Sequence, residues 1–321
     1  MSTLHPIHAA LVLGSDSFRL LVGTVEDGRL RPLDNTHAPL RLAAALDAQG
    51  CLGPDALHAA FEALRAMRAR MKAYSLAAVR VVATSTLRMA RDSHVFLPAA
   101  QQLLGHPIQV LSGEEEAVLT YLGVADASAA EGRAGHDSHD GHHAAAARML
   151  VLGVGGGSTQ LALGSGRRVQ RVASLTLGTA RLGLTFFGGG RIDAVSFAAA
   201  IASTRTRLAD VAPMFGPARR DRACGASGTI HTLARLAAEN GLAGPLTRGR
   251  LETFGARTFA GGGDAPLHGL GTLRLRDVAA ALAILLALME ELEIEELALP
   301  PAGLRAGLLA ELRHGLATAN A

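Results

Sequence analysis

The feature that most constrains this chain is a module that occurs twice. In the first copy an apolar run, Ala9-Ala10-Leu11-Val12-Leu13, enters a short loop, Gly14-Ser15-Asp16-Ser17. It continues through Phe18-Arg19-Leu20-Leu21-Val22-Gly23-Thr24-Val25, an Asp27-Gly28 turn and a further run over residues 29–33. In the second copy Met149-Leu150-Val151-Leu152-Gly153-Val154 enters Gly155-Gly156-Gly157-Ser158-Thr159, then Gln160-Leu161-Ala162-Leu163-Gly164, a Ser165-Gly166 turn and a run over residues 168–175. Each copy reads as a strand, a loop and a hairpin. Helix-like stretches then alternate with apolar runs, residues 55–74 before Val79-Arg80-Val81-Val82-Ala83 for example, which predicts an α/β sheet in each half.

Two such halves are expected to face each other across a cleft. Glycines at both strand exits let the backbone approach a ligand, and successive amides there cradle phosphate oxygens, so a phosphate-bearing ligand is expected. A Gly-Gly-Gly-Ser-Thr string alone is more often a flexible turn. The related loop at the matching place in the other half is what argues for a ligand site.

At 321 residues the chain is long enough for two cores. The expected division is a first lobe over residues 1–127, a linker or insertion rich in His, Ala and Gly over 128–146, and a second lobe with C-terminal helices over 147–321. Hydrophobic residues make up 49% of the chain and are largely Ala and Leu, whereas aromatic residues are 3% with no Trp, which disfavours base stacking and hence nucleic acid as a partner. The net charge of +3 implies no polyanion stripe, yet most of the positive charge is Arg, which suits bidentate phosphate contacts. The longest apolar run, residues 278–289, is too short for a bilayer, and no signal pattern opens the chain, so a cytoplasmic protein without membrane partners is expected. Cys51 and Cys224 lie far apart without metal-ligand spacing and read as small buried hydrophobes.

Residues 125–147 hold His136, His139, His142 and His143 in a setting of Ala, Gly, Ser and Asp, and read as a linker. Its imidazoles would take up transition metals adventitiously, since nothing fixes their geometry. Gly261-Gly262-Gly263-Asp264 reads as a loop, and residues 275–296 as a long apolar helix whose acidic end, Glu290 to Glu296, is solvated.

Four further strings carry a resemblance: Ala83-Thr84-Ser85-Thr86-Leu87-Arg88, Leu111-Ser112-Gly113-Glu114-Glu115-Glu116-Ala117, Ser174-Leu175-Thr176-Leu177-Gly178 and Gly225-Ala226-Ser227-Gly228-Thr229. With the two loops, and in this order, they make the chain resemble the exopolyphosphatase and guanosine pentaphosphate phosphohydrolase family, Ppx/GppA, in a short form without the helical C-terminal domain of its longer members. The resemblance implies a duplicated actin-like, ribonuclease H-like α/β fold. It also implies hydrolysis of the terminal phosphoanhydride of inorganic polyphosphate or guanosine pentaphosphate with Mg2+ as cofactor, and it allows a homodimer. Glu116 stands at the position of the family's catalytic base, and Arg88 would hold the phosphate. Phosphate would be bound by Gly14, Ser15, Asp16 and Ser17, by Gly155, Gly156, Gly157, Ser158 and Thr159, and by Gly225, Ser227, Gly228 and Thr229. Without the resemblance, residues 114–116 would read as an acidic first turn of a helix, and Ser227 or Thr229 as a helix N-cap.

The chain departs from that pattern at three acidic positions, which here are Val12, Gly153 and Gln160. The first two are those expected to surround the family's divalent cation, and hard cations rely on carboxylates. Asp16 is the one replacement ligand the first loop offers. The late Leu304-Arg305 pair also lacks acidic neighbours, with Pro301 and Ala306 around it. Two readings follow, a phosphoanhydride hydrolase and a catalytically degenerate protein that binds or senses polyphosphate or a nucleotide on the same fold. An actin-like kinase ranks behind both, because that class relies on the same aspartates.

Overall fold

In the computed structural model the chain is described at residues 5–26, 29–135, 147–190, 192–259, 267–271 and 273–319, and it divides into two compact units. The first begins β1 (Ile7–Leu13), β2 (Ser17–Glu26) and β3 (Arg29–Pro39), followed by α1 (Pro54–Met71), β4 (Leu76–Ala83), α2 (Ser85–Met89), α3 (Ser93–Leu104), β5 (Ile108–Val110) and α4 (Gly113–Gly135). Its sheet runs β3-β2-β1-β4-β5, with β1 antiparallel to β2 and parallel to β4. Strand β1 is buried on both faces, as a continuous apolar run requires. Ala9, Leu11 and Leu13 pack towards α1 and α3, through Leu64, Met67 and Phe96, while Ala10 and Val12 pack with Leu111, Leu119, Leu308 and Leu309 on the other side.

The second unit repeats the plan with β6 (Arg148–Val154), β7 (Thr159–Ser165), β8 (Arg168–Leu175), α5 (Thr179–Phe187), α6 (Ala194–Leu208), β9 (Arg222–Gly225) and α7 (Gly228–Glu239). Its sheet order is β8-β7-β6-β9, with β6 antiparallel to β7 and parallel to β9. A two-stranded ladder of β10 (Leu246–Thr247) and β11 (Glu296–Leu297) brackets α8 (Arg248–Phe259) and α9 (Leu275–Glu291). Every residue of α9 from Val278 to Met289 is buried, which is where the apolar run of the sequence goes. The helix stops short of the expected residue 296: Leu292 caps it and Glu293 turns into the left-handed region at φ 51°. The repeated strand order is that of a duplicated actin-like, ribonuclease H-like α/β fold.

Two expectations are corrected. Residues 125–135 were expected in a linker but continue α4, because their alanines favour helix and Ala125 and Ala130 are buried. The C-terminal helix α10 (Leu304–Ala319), expected with the second lobe, belongs to the first unit. It crosses α4 so closely that a side chain on Gly123 would strike the Gly303 carbonyl and one on Gly307 the Leu119 carbonyl, and it buries Leu308 and Leu309 on β1. Of the cysteines, Cys224 is buried and Cys51 half-buried, both free. The Asp27-Gly28 turn, the histidines of 136–143 and the 261–264 string lie outside the described residues.

Candidate functional site

In each unit the expected loops gather at the carboxyl ends of parallel strands, the usual ligand position in open α/β sheets. In the first unit these are residues 14–17 after β1, 84–88 after β4 and 111–116 after β5. The Gly14 amide donates to the Ser17 carbonyl (3.1 Å), which closes the first loop, and Thr84 N donates to Leu13 O (3.2 Å). The hydroxyls of Ser15 and Ser85, both buried, meet at 2.9 Å, so the first and second loops are one hydrogen-bonded body. Arg88 extends its Nη1 to the carbonyl of Leu111 (2.5 Å), which ties the third loop to the second.

Glu116 sits in the first turn of α4. Its neighbour Glu115 forms the capping arrangement expected from the acidic turn: Ser112 N donates to Glu115 Oε2 (2.7 Å) and Glu115 N to Ser112 Oγ (3.0 Å). Glu116 itself turns inward. Its Oε2 is buried with no hydrogen-bond partner among the described residues. Burial pushes the Glu116 carboxyl up to about 7, against the opposite pull of the Arg88 guanidinium. A carboxyl that is half ionised near neutrality, next to a guanidinium, is equipped to take a proton from water.

The second unit offers amides instead of charges. Gly155 N donates to Ser158 O (2.8 Å), the same closure as in the first loop. The Gly155 and Gly156 carbonyls accept from Thr179 N and Ala180 N at the start of α5, both at 3.0 Å. Gly178 is what permits this contact, since a Cβ there would strike the backbone of Gly156 and Gly157. The amides of Gly156 and Gly157 have no acceptor among the described residues. Ser227 is the N-cap of α7: its Oγ accepts from Ile230 N (3.4 Å) and also from Val154 N (3.1 Å), which fastens α7 to the end of β6. The first-turn amides of Gly228 and Thr229 complete an anion-seeking edge.

The hydroxyls expected on phosphate differ in what they have left to donate. Thr159 is fully buried in β7 and donates to Leu177 O (2.7 Å), which takes its hydroxyl out of the loop. Ser158 Oγ accepts from Gln160 Nε2 (2.6 Å), and Ser17 Oγ from Arg19 Nε (2.9 Å). The Thr159 proton is spent on Leu177, whereas Ser158 and Ser17 only accept in these bonds and keep their own O–H groups as donors beside the backbone amides.

Sequence reasoning missed a cationic cluster in the first unit. Arg305 of α10 donates through Nη1 to Leu20 O (3.1 Å) and Asn35 Oδ1 (2.6 Å). Burial, with Arg19 adding its repulsion, brings the Arg305 guanidinium down to about 10. Arg19 is likewise lowered by burial while Asp16 holds it up, and His37 is lowered by burial, Arg19 and Arg305. The signal available was the isolated Leu304-Arg305 pair, an arginine among apolar residues.

A protein-bound divalent cation does not fit these residues. Among the described residues no three His, Cys, Asp or Glu side chains are placed to hold a metal ion. Val12 is packed among leucines, and Asp16, the expected replacement ligand, lends its charge to Arg19. Also among the described residues, no helix is long and apolar enough to cross a membrane.

A sequence model of the Ppx/GppA phosphatase family matches residues 21–315. The guanosine-5'-triphosphate,3'-diphosphate pyrophosphatase of Vibrio vulnificus (strain YJ016) is 32% identical over 313 residues, 97% of this chain and 60% of the relative. That of Aeromonas salmonicida (strain A449) is 33% identical over 306 residues, 95% of this chain and 59% of the relative. The chain thus spans about three-fifths of the length of these curated relatives. Among solved structures, the Ppx/GppA family member of Aquifex aeolicus superposes with a TM-score of 0.75 at 23% identity, covering 97% of this chain and 98% of that one. An exopolyphosphatase from Cytophaga hutchinsonii gives 0.80 at 18% identity, covering 96% and 98%. With its duplicated fold and its loops in family order, the chain belongs to the Ppx/GppA phosphatase family.

Proposed function

We propose that the chain hydrolyses the terminal phosphoanhydride of inorganic polyphosphate or guanosine pentaphosphate. The observation that carries this reading is the Glu116 carboxyl, with one oxygen buried and unpartnered, raised to about 7 and set beside Arg88. Water attacks the terminal phosphorus as Glu116 takes its proton; the bridging P–O bond breaks, and the shortened chain leaves with the bridging oxygen. Arg88 offsets charge on the transferring phosphoryl group, where preorganised donors act most strongly. Backbone amides of residues 14–17 hold phosphate oxygens in the first unit; in the second, the amides of residues 155–158 and the first turn of α7 form an anion-seeking edge of their own. No step is assigned to Mg2+.

A catalytically degenerate receptor would have no use for a buried carboxyl poised at neutrality. A structural acid at a helix start gains from exposure to solvent, and Glu114 and Glu115 are exposed where Glu116 is turned inward. The test is phosphate release from long-chain polyphosphate and from guanosine pentaphosphate by the wild type and by Glu116→Gln. Release that the substitution removes supports the reading, and release unchanged by it sinks the assignment.

A further inference from the structure

Each loop is flanked by a pair of residues directly opposite on the antiparallel ladder, two positions before its glycine and two after its last serine. In the first unit the pair is Val12 and Arg19; in the second it is Gly153 and Gln160. Because paired residues on a ladder point to the same face, these are the side chains that line the floor of each loop. One pair is apolar and cationic, and the other is an absent side chain and an amide.

The second pair is built as a unit. A Cβ at Gly153 would lie 3.4 Å from Gln160 Oε1 and 3.9 Å from Gln160 Cβ, so the carboxamide lies over the glycine. Gln160 is 6% exposed and its Nε2 is anchored on Ser158 Oγ at 2.6 Å, which turns Oε1 towards Gly153. The group is neutral at every pH. In the first pair Val12 is 8% exposed within the cluster of Ala10, Val82, Leu111 and Leu119, so no carboxylate is available there either. On that unit's side the guanidinium groups of Arg19, Arg88 and Arg305 outnumber the carboxyls of Asp16 and Glu116. A hard divalent cation needs carboxylate oxygens and is repelled by guanidinium, whereas a phosphate chain is attracted by it.

Given the phosphate ligand proposed above, we infer that this chain binds that ligand without a protein-held divalent cation, the Gly153–Gln160–Ser158 lock replacing carboxylate ligands in the second unit and guanidinium charge replacing metal charge in the first. Any divalent ion then arrives as a counterion of the substrate.

The test uses the full chain, with Mn2+ and inorganic tripolyphosphate as probes in titration calorimetry. Only Mn2+ that excess Mg2+ displaces is counted, which sets aside imidazole binding by the histidines of residues 136–143, because Mg2+ prefers oxygen ligands. The expected results are no saturable Mn2+ binding by the wild type and tripolyphosphate affinity that agrees within about threefold in EDTA and in Mg2+. The double variant Gly153→Asp/Gln160→Glu is expected to gain Mg2+-displaceable Mn2+ binding. Saturable Mn2+ binding by the wild type overturns the inference whether or not the variant folds. Tripolyphosphate bound in Mg2+ but not in EDTA also overturns it and leaves the hydrolase reading standing. Tripolyphosphate bound in neither buffer removes the phosphate reading itself. Binding in EDTA with no phosphate released from any substrate keeps this inference and removes the hydrolysis.

Discussion

The hydroxyls of Ser15 and Ser85 meet at 2.9 Å across 70 residues of chain, joining the loop after β1 to the loop after β4. Both are buried, so neither can exchange its partner for water. Ser85→Ala is expected to lower stability by about 1–2 kcal/mol through the orphaned Ser15 hydroxyl. It should also lower phosphate release more than it raises KM, since Arg88 lies in the loop that Ser85 anchors. Urea unfolding and steady-state kinetics read the two effects. Wild-type stability in this variant would show that the bond carries nothing.

Glu116 makes the pH dependence of the proposed reaction predictable. As a base raised to about 7, it should give a rate that rises with pH through that value and levels above it. Stability should move the other way. A carboxyl whose folded value lies above its unfolded value of 4.5 favours the folded state while protonated, and this contribution is lost as pH climbs from 4.5 to about 7. Glu116→Gln should therefore be inactive yet more stable than wild type above pH 7, by roughly 3 kcal/mol. Thermal unfolding at acid and at alkaline pH checks the sign, and equal stability differences at both would contradict it.

His8 gives the opposite acid behaviour. It is 3% exposed in β1, its Nε2 has no hydrogen-bond partner among the described residues, and burial lowers its pKa below 6.5. The neutral ring's advantage is fully present above 6.5 and is lost as pH falls below that value. Replacing it by a ring that cannot charge, His8→Phe, should leave neutral stability within about 1–2 kcal/mol and reduce the acid sensitivity of unfolding. Denaturation profiles of the two proteins between neutral and acid pH that run parallel would refute this.

The crossing of α4 and α10 depends on glycine. Gly307→Ala drives a methyl into the Leu119 carbonyl, and Gly123→Ala drives one into the Gly303 carbonyl. Each is expected to cost about 2–3 kcal/mol and to loosen α10. Loosening α10 takes Arg305 away from Leu20 and Asn35, so tripolyphosphate affinity should fall with stability. Hydrogen exchange of α10 amides reports the loosening directly, and unchanged protection would show that the helices accommodate the methyl.

Much of the architecture was readable along the chain because its signals are local. The alternating and continuous apolar runs mark the strands. Glycines at their exits mark the loops, and the order of six strings indicates the family. Glu116 and Arg88 could be singled out from that order and do lie together through Leu111 and the start of α4. Three things were not local. Helix α10 returns to the first unit, where Gly123 of α4 and Gly307 of α10 let the two helices cross closely. Its return buries Arg305 near Arg19, which no spacing in the sequence foretells. Burial likewise decides that Thr159 turns away from the loop to Leu177 and that Gln160 covers Gly153. The sequence by itself determined the duplicated α/β fold and the family, because period, glycine position and loop order are properties of short segments. Only the tertiary structure decided the charge of the site and the proton affinity of Glu116, because these arise from desolvation and from side chains brought together across hundreds of residues.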